Sequence, residues 1–282
     1  MSMSIGNQAG ALQGVNQLAR RDREMQLALV RLATGMRINR AADNPAGLTI
    51  SEQMRAQIAG LSRVSDGLEE GVALTQVADG ALEQTNALLQ KQRDLALQAG
   101  NDAVLDPSAR AVLDKQFQAL GKAIDAIAGN TRYGGNKLLD GSYKDRAIQT
   151  GTGSGQSLDL TIASTVGGGS TGFDRQGLGM SGASLSSTEG AADALTRLDT
   201  ALTEVGRQRG DLGAVQANAL ESGLRSLAVA SQNLIGAEST IRDADFGQES
   251  ANLASQSILM QAGIATQAQR GLTAQNVLRL LG

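Results

Sequence analysis

The sequence predicts a mainly α protein of long coiled-coil helices, with a layer of paired terminal helices, a second helical-bundle layer and a small β-hairpin region. Three observations carry this. Apolar residues recur at 3–4 spacing over long stretches, and the whole chain holds only 2 Pro. Aromatic content is 2% with no Trp, so the apolar residues are mainly Ala, Leu, Val and Ile, which suit helices packed closely side by side. Glycine is concentrated, with 11 of the 35 glycines in residues 141–188.

The first element is a helix over about residues 11–36. Val15, Leu18, Met25, Leu29, Leu32 and Met36 follow 3–4 spacing, with Asp22 as the polar break. Residues 1–40 carry six Arg against Asp22 and Glu24. A solvated helix face accounts for them better than an anion footprint, because no aromatics are interleaved to stack bases. The segment Asn39 to Pro45 is a connector. Asn44 precedes Pro45 and leans away from the α region, and Pro45 also suits the first turn of a new helix.

The longest helix is expected over 46–99. A seam runs through Met54, Ile58, Leu61, Ser65, Leu68, Val72, Thr75, Asp79, Leu82, Asn86, Leu89, Arg93 and Ala96, alternating four and three apart. Gly100-Asn101 ends it. Asp106-Pro107-Ser108 opens a shorter helix over 108–128, with Leu113, Phe117, Ile124 and Ile127 on its core side. The Gly-rich region 141–188 holds one or two hairpins. Leu158, Leu160 and Ile162 alternate with polar residues, and Arg146–Thr150 is the partner across Gly-Thr-Gly-Ser-Gly.

Helix returns over 188–236. Leu195, Leu198, Leu202, Val205, Leu212 and Ala219 hold a seam that Leu220, Leu224, Leu227 and Leu234 continue one position later, as after a stutter. Gly236 is a candidate break before the last helix. In that helix Leu253, Ile258, Met260, Ile264, Leu278 and Leu281 form an apolar stripe that can be buried only against another helix. The stripes at the two ends are expected to pair. Residues 1–44 with 241–282 then form one domain and residues 45–240 the other.

Composition removes several function classes. There is no Cys and no His, hence no disulfide framework, no Ser-His triad and no commonest metal ligand. No catalytic, metal or cofactor-binding residue is assigned, and no cofactor is expected. Glu69-Glu70 and Asp243-Asp245 do not face each other as a catalytic pair would. Asp243 and Asp245 read as helix-start charges. The Gly runs in 151–169 open no helix that could cradle a phosphate. A net charge of −3 argues against nucleic acid, and no stretch approaches a membrane span. Residues 1–30 lack the apolar core of a secretory signal, so export is expected by another route.

Two long motifs carry a resemblance. LATGMRINRAADNPAGLTISEQMRAQI, Leu32 to Ile58, resembles the N-terminal signature of bacterial flagellin. IRDADFGQESANLASQSILMQAGIATQAQ, Ile241 to Gln269, with NVLRLLG at Asn276 to Gly282, resembles its C-terminal signature. The resemblance covers nearly all of 1–140 and 188–282, and the short middle implies a form lacking the large outer domains. It implies a non-enzymatic subunit of the extracellular flagellar filament. The terminal helices would fold on assembly into an inner tube around an export channel, and the middle helices would form an outer tube. Implied partners are further copies of the chain, the type III export apparatus and its chaperone, the filament cap and the hook-junction proteins.

Some members of the family are recognised by Toll-like receptor 5. The matching stretch is Leu88 to Gln98, with Gln90, Lys91, Leu95 and Gln98 at the family's contact positions. Lys91 stands where recognised members have Arg, and Gln116 where they have Glu. Lys lacks the planar fork and Gln the charge, so both departures weaken that contact. The same residues could instead serve the outer face of the rod or contacts between subunits. Two other readings share features with the sequence: a hook–filament junction protein of the same family, and a signalling coiled-coil rod. The rod would lack the Gly-rich region.

Overall fold

A computed structural model describes the backbone of residues 2–101, 105–166 and 171–281, and the side chains of 12–101, 105–166 and 171–269. The elements are α1 (Ser2–Thr34), α2 (Pro45–Ala99), α3 (Pro107–Asn130), β1 (Arg132–Tyr133), β2 (Asn136–Lys137), β3 (Arg146–Gln149), β4 (Ser157–Leu160), α4 (Thr188–Ala214), a π turn (Val215–Leu220), α5 (Glu221–Arg242) and α6 (Phe246–Leu281). Among the described residues no helix is long and apolar enough to cross a membrane. They form two compact units, one of 1–58 with 232–282 and the other of 59–231. Both divisions fall inside continuous helices, α2 and α5.

Capping residues set most helix starts. Asn44 Oδ1 accepts the Gly47 N–H at 2.9 Å, with Pro45 in the first turn of α2. Asp106 Oδ1 accepts the Ala109 N–H at 2.7 Å, Ser187 Oγ that of Gly190 at 3.0 Å, and Asp245 Oδ1 that of Gly247 at 2.9 Å. Asp245 is thus a helix-start group, as the sequence indicates. Gly236 does not break its helix: α5 runs through it to Arg242, and the chain turns at Asp243–Asp245 instead. An interior glycine costs a helix only about 1 kcal/mol relative to Ala, too little to end one held on both sides.

In the unit 59–231, α2 presents an unbroken buried seam at Val64, Leu68, Gly71, Thr75, Ala78, Leu82, Thr85, Leu89, Gln92, Ala96 and Ala99. It shares Leu68, Thr75, Leu82, Leu89 and Ala96 with the seam read from sequence. The alternate positions differ by one, because Gly71, Ala78, Thr85, Gln92 and Ala99 are small or polar and carry no hydrophobic signal. Small residues admit close helix approach, and the polar ones donate to backbone carbonyls, while Gln92 Oε1 is buried with no hydrogen-bond partner among the described residues. Thr75 Oγ1 donates to Val72 O at 2.8 Å, Thr85 Oγ1 to Ala81 O at 3.0 Å, and Gln92 Nε2 to Phe117 O at 2.9 Å. The core around this seam includes Phe117 and Ile124 of α3 and Leu198, Val205 and Leu212 of α4.

The Gly-rich region is packed rather than a free linker. β3 and β4 pair antiparallel with Arg146 opposite Leu160 and Ile148 opposite Leu158. A second hairpin, β1–β2, lies at 132–137, outside the region where hairpins are expected from the sequence. Beyond β4 the chain is irregular, yet Ile162, Phe173, Leu178 and Leu185 are fully buried. Helix carboxylates receive its free backbone donors. Asp125 accepts the Arg175 N–H at 2.9 Å and its Nε at 2.8 Å. Asp114 accepts the Leu185 N–H at 2.7 Å, and Glu204 that of Thr165 at 2.7 Å. Gly141 is required at φ 82°, where a Cβ would meet Gly172 N at 2.6 Å.

Candidate assembly surface

The unit of 1–58 and 232–282 is built on the antiparallel pairing of α1 with α6. Arg21 Nη1 donates to Gln256 Oε1 at 2.9 Å, and Arg31 Nη1 to Glu249 Oε1 at 2.9 Å. A Cβ on Gly263 would meet Leu18 Cδ2 at 2.8 Å, so glycine admits that leucine to the α6 backbone. The two chain turns also pair. Gly35, at φ 70°, ends α1, and its carbonyl accepts the Ala244 N–H at 2.9 Å. The Arg37 N–H donates to Arg242 O at 2.7 Å, across a bridge of Met36 with Asp243. Asp43 Oδ2 accepts the N–H groups of Asn39 at 3.0 Å and Arg40 at 2.9 Å. The start of α2 meets the end of α5 through Arg242 Nη1 to Glu52 Oε1 at 2.9 Å.

This frame leaves apolar surface uncovered. Among the described residues of the unit, the only buried apolar side chains are Ala28 and Ile38. Of the stripe residues on α1, Val15 is 54% and Leu29 49% exposed, while Leu18, Met25, Leu32 and Met36 are half-buried. On α6, Ile258 is 64% and Ile264 56% exposed, while Leu253 and Met260 are half-buried. Leu278 and Leu281 lie outside the residues whose side chains are described. Leu12, Leu27, Phe246 and Leu259, not singled out from the sequence, are exposed as well. Leu27, two residues from both Met25 and Leu29, falls off the 3–4 spacing that selected the others, while Leu12 lies three residues before Val15 and extends the stripe toward the N-terminus.

The magnitudes show why a single copy is incomplete. Covering the exposed half of one such side chain offers on the order of 1 kcal/mol. Ordering each residue of backbone costs roughly 1–2 kcal/mol. Two helices touching along one line cannot meet that cost from their own contacts, and the uncovered stripes are the surface that further contacts would bury.

One ion pair makes the pairing sensitive to acid. Glu249 is nearly buried, and the Arg31 guanidinium holds its carboxyl below the usual range. A lowered carboxyl stabilises the paired state above its unfolded pKa, about 4.3 for Glu, and that stability is lost as pH falls through the folded value. Pairing of α1 with α6 is therefore expected to be constant near neutral pH and to weaken below about pH 4. Amide exchange of residues 12–34 and 246–269 in the assembled filament at pH 7 and pH 3.5 checks this, and Glu249→Gln should reduce the difference between them. An unchanged pH dependence in that variant would remove Glu249 from the account. Backbone N–H groups of Arg40 and Asn39 lower Asp43 in the same sense.

The second candidate stretch lies in the other unit. Lys91, Leu95 and Gln116 line one shallow groove of about 550 Å³ with Asp94, Ala119 and Leu120 of α2 and α3. Gln90 and Gln98 are exposed but do not line it, and the Gln90 amide bonds Asn86. Among the described residues no cluster of His, Cys, Asp or Glu has the grouping to hold a metal ion.

Comparison with known proteins gives this geometry a context. The family model described as bacterial flagellin N-terminal helical region matches residues 5–144, and that of the C-terminal helical region matches 195–281. The chain is 36% identical to the flagellin of Bacillus subtilis (strain 168), covering 99% of this chain and 100% of that protein. It is 37% identical to a flagellin of Halalkalibacterium halodurans, covering 91% of each. It is 33% identical to the flagellar filament 30.7 kDa core protein of Treponema maltophilum, covering 99% of this chain and all of that one. A crystal structure of Bacillus cereus flagellin aligns at 28% identity and a TM-score of 0.49, over 57% of this chain and 88% of that one.

Proposed function

The chain belongs to the bacterial flagellin family, and from that premise we propose that it is a structural subunit that polymerises into the extracellular filament of the bacterial flagellum. The observation that carries the assembly mechanism is the uncovered apolar surface on paired terminal helices. In this reading Val15, Leu18, Met25, Leu29, Leu32 and Met36 of α1, with Leu253, Ile258, Met260, Ile264, Leu278 and Leu281 of α6, are buried by neighbouring subunits. The ends order and the filament grows in one event, because contacts between copies offset the cost of ordering. A head-to-tail contact that does not close yields a helical filament. The terminal helices surround an export channel, and the subunit reaches it through the type III export apparatus. Its chaperone, the filament cap and the hook-junction proteins are the remaining partners. Electron microscopy of a concentrated sample tests the reading: long uniform tubes are expected, and their absence would favour a non-filament coiled coil.

The stretch Leu88 to Gln98, with Gln90, Lys91, Leu95 and Gln98, together with Gln116, is the proposed contact for Toll-like receptor 5, weakened by Lys91 and Gln116. Restoring the fork and the charge with Lys91→Arg and Gln116→Glu is expected to raise the reporter-cell response to purified monomer. Each charge-assisted bond gained corresponds to about tenfold or more. No change in the double variant would assign these residues to the rod surface or to contacts between subunits.

A further inference from the structure

The helix formed by α4, the π turn and α5 contains one residue too many for its own pattern. Val205 and Leu212 are buried seven residues apart; Leu220, the next buried leucine, is eight on, and Leu227 follows seven later. The π turn at Val215–Leu220 absorbs the extra residue. The Glu221 N–H reaches back five residues to Gln216 O, and Gln216 Nε2 donates to Glu221 Oε1 at 3.1 Å. Residues five apart diverge by about 140° around an α-helix, so that clasp needs the wider turn. Were the helix α throughout, the inward stripe after Leu212 would run through Val215, Ala219, Ser222, Ser226 and Val229. Leu220 and Leu227 would then leave the cluster they form with Val64 and Leu68.

We infer that this turn is a one-residue register device, dispensable for folding, that serves as the compliant joint between the α4 and α5 stripes. Its outward residues, Ala217 and Asn218, are exposed, so no packing holds them, while Val215 at its start touches both clusters and Leu220 at its end is fully buried. Each flanking stripe is fixed to its own cluster, Leu212 to one and Leu220 with Leu227 to the other. Relative rotation of the two stripes is thereby confined to residues 213–219, most of them in the π turn.

The test is a deletion that most helices would not survive. Removing Asn218 places Leu220 seven residues after Leu212 and turns the Gln216–Glu221 clasp into an ordinary i,i+4 pair. The full-length variant is expected to fold with an unfolding midpoint at or above the parent's, and with the amides of 215–221 as protected as their neighbours. Removing Thr200, an exposed residue in the middle of α4, is the control. It swings the remaining stripe by about 100° and is expected to lower the midpoint sharply. In the unaltered chain, amides 216–221 should exchange about two- to tenfold faster than those one turn to either side, the factor that one weakened hydrogen bond gives. Uniform protection across 212–224, or an Asn218 deletion as damaging as the Thr200 deletion, overturns the inference.

Discussion

A chain lacking Phe246–Gly282 is expected to stay monomeric at concentrations where the full chain polymerises, with the helices of 59–231 intact. Without α6, α1 loses the partners of Arg21 and Arg31 and the backbone against which Leu18 packs. Nothing in this deletion touches Leu82, Phe117 or Leu198, which are buried in the other unit. The loss should therefore appear as the absence of fast-sedimenting species with only the helical signal of the ends removed. Polymers formed by the truncated chain would show that contacts of 59–231 suffice for assembly, and the terminal stripes would lose their role.

Phe173→Ala should have the largest effect on the stability of the single copy. Phe173 is fully buried, and its N–H donates to Leu139 O at 2.7 Å, fixing the irregular segment to the chain that follows β2. Truncating a buried phenylalanine costs about 3–5 kcal/mol, a third or more of the total stability of many domains. The urea midpoint of the unit 59–231 should fall accordingly, with an unchanged slope. A midpoint within experimental error of the parent's would mean that the Gly-rich region behaves as a linker.

Both expectations draw on parts of the fold that the sequence reveals unequally. Helix starts are legible because their signals are local. Asn44-Pro45 and Asp106-Pro107 each carry a capping group within three residues of the amide they serve. The β3–β4 pairing is legible from alternation across a Gly-rich turn. The stutter after Leu212 is visible as a phase shift, and the π turn is its structural form.

What escapes the sequence depends on partners far away in the chain. Half of the α2 seam is invisible because Gly71, Ala78, Thr85 and Gln92 are chosen for size and for hydrogen bonds, not for hydrophobicity. The course of the irregular segment after β4 is set by Asp114, Asp125 and Glu204 on other helices, and no local pattern marks them as acceptors of its N–H groups. The pairing of Arg31 with Glu249 spans 218 residues. At the candidate assembly surface, 3–4 spacing identifies the stripe but passes over Leu27, which is exposed alongside it.

The most direct measurement is amide exchange on the full chain, first as a dilute monomer and then as a filament. Terminal residues 12–34 and 246–269 should exchange near the unprotected rate in the monomer and become strongly protected in the filament, while 59–231 is protected in both. Strong protection of both ends in the dilute monomer would contradict the claim that one copy cannot complete its own apolar contacts.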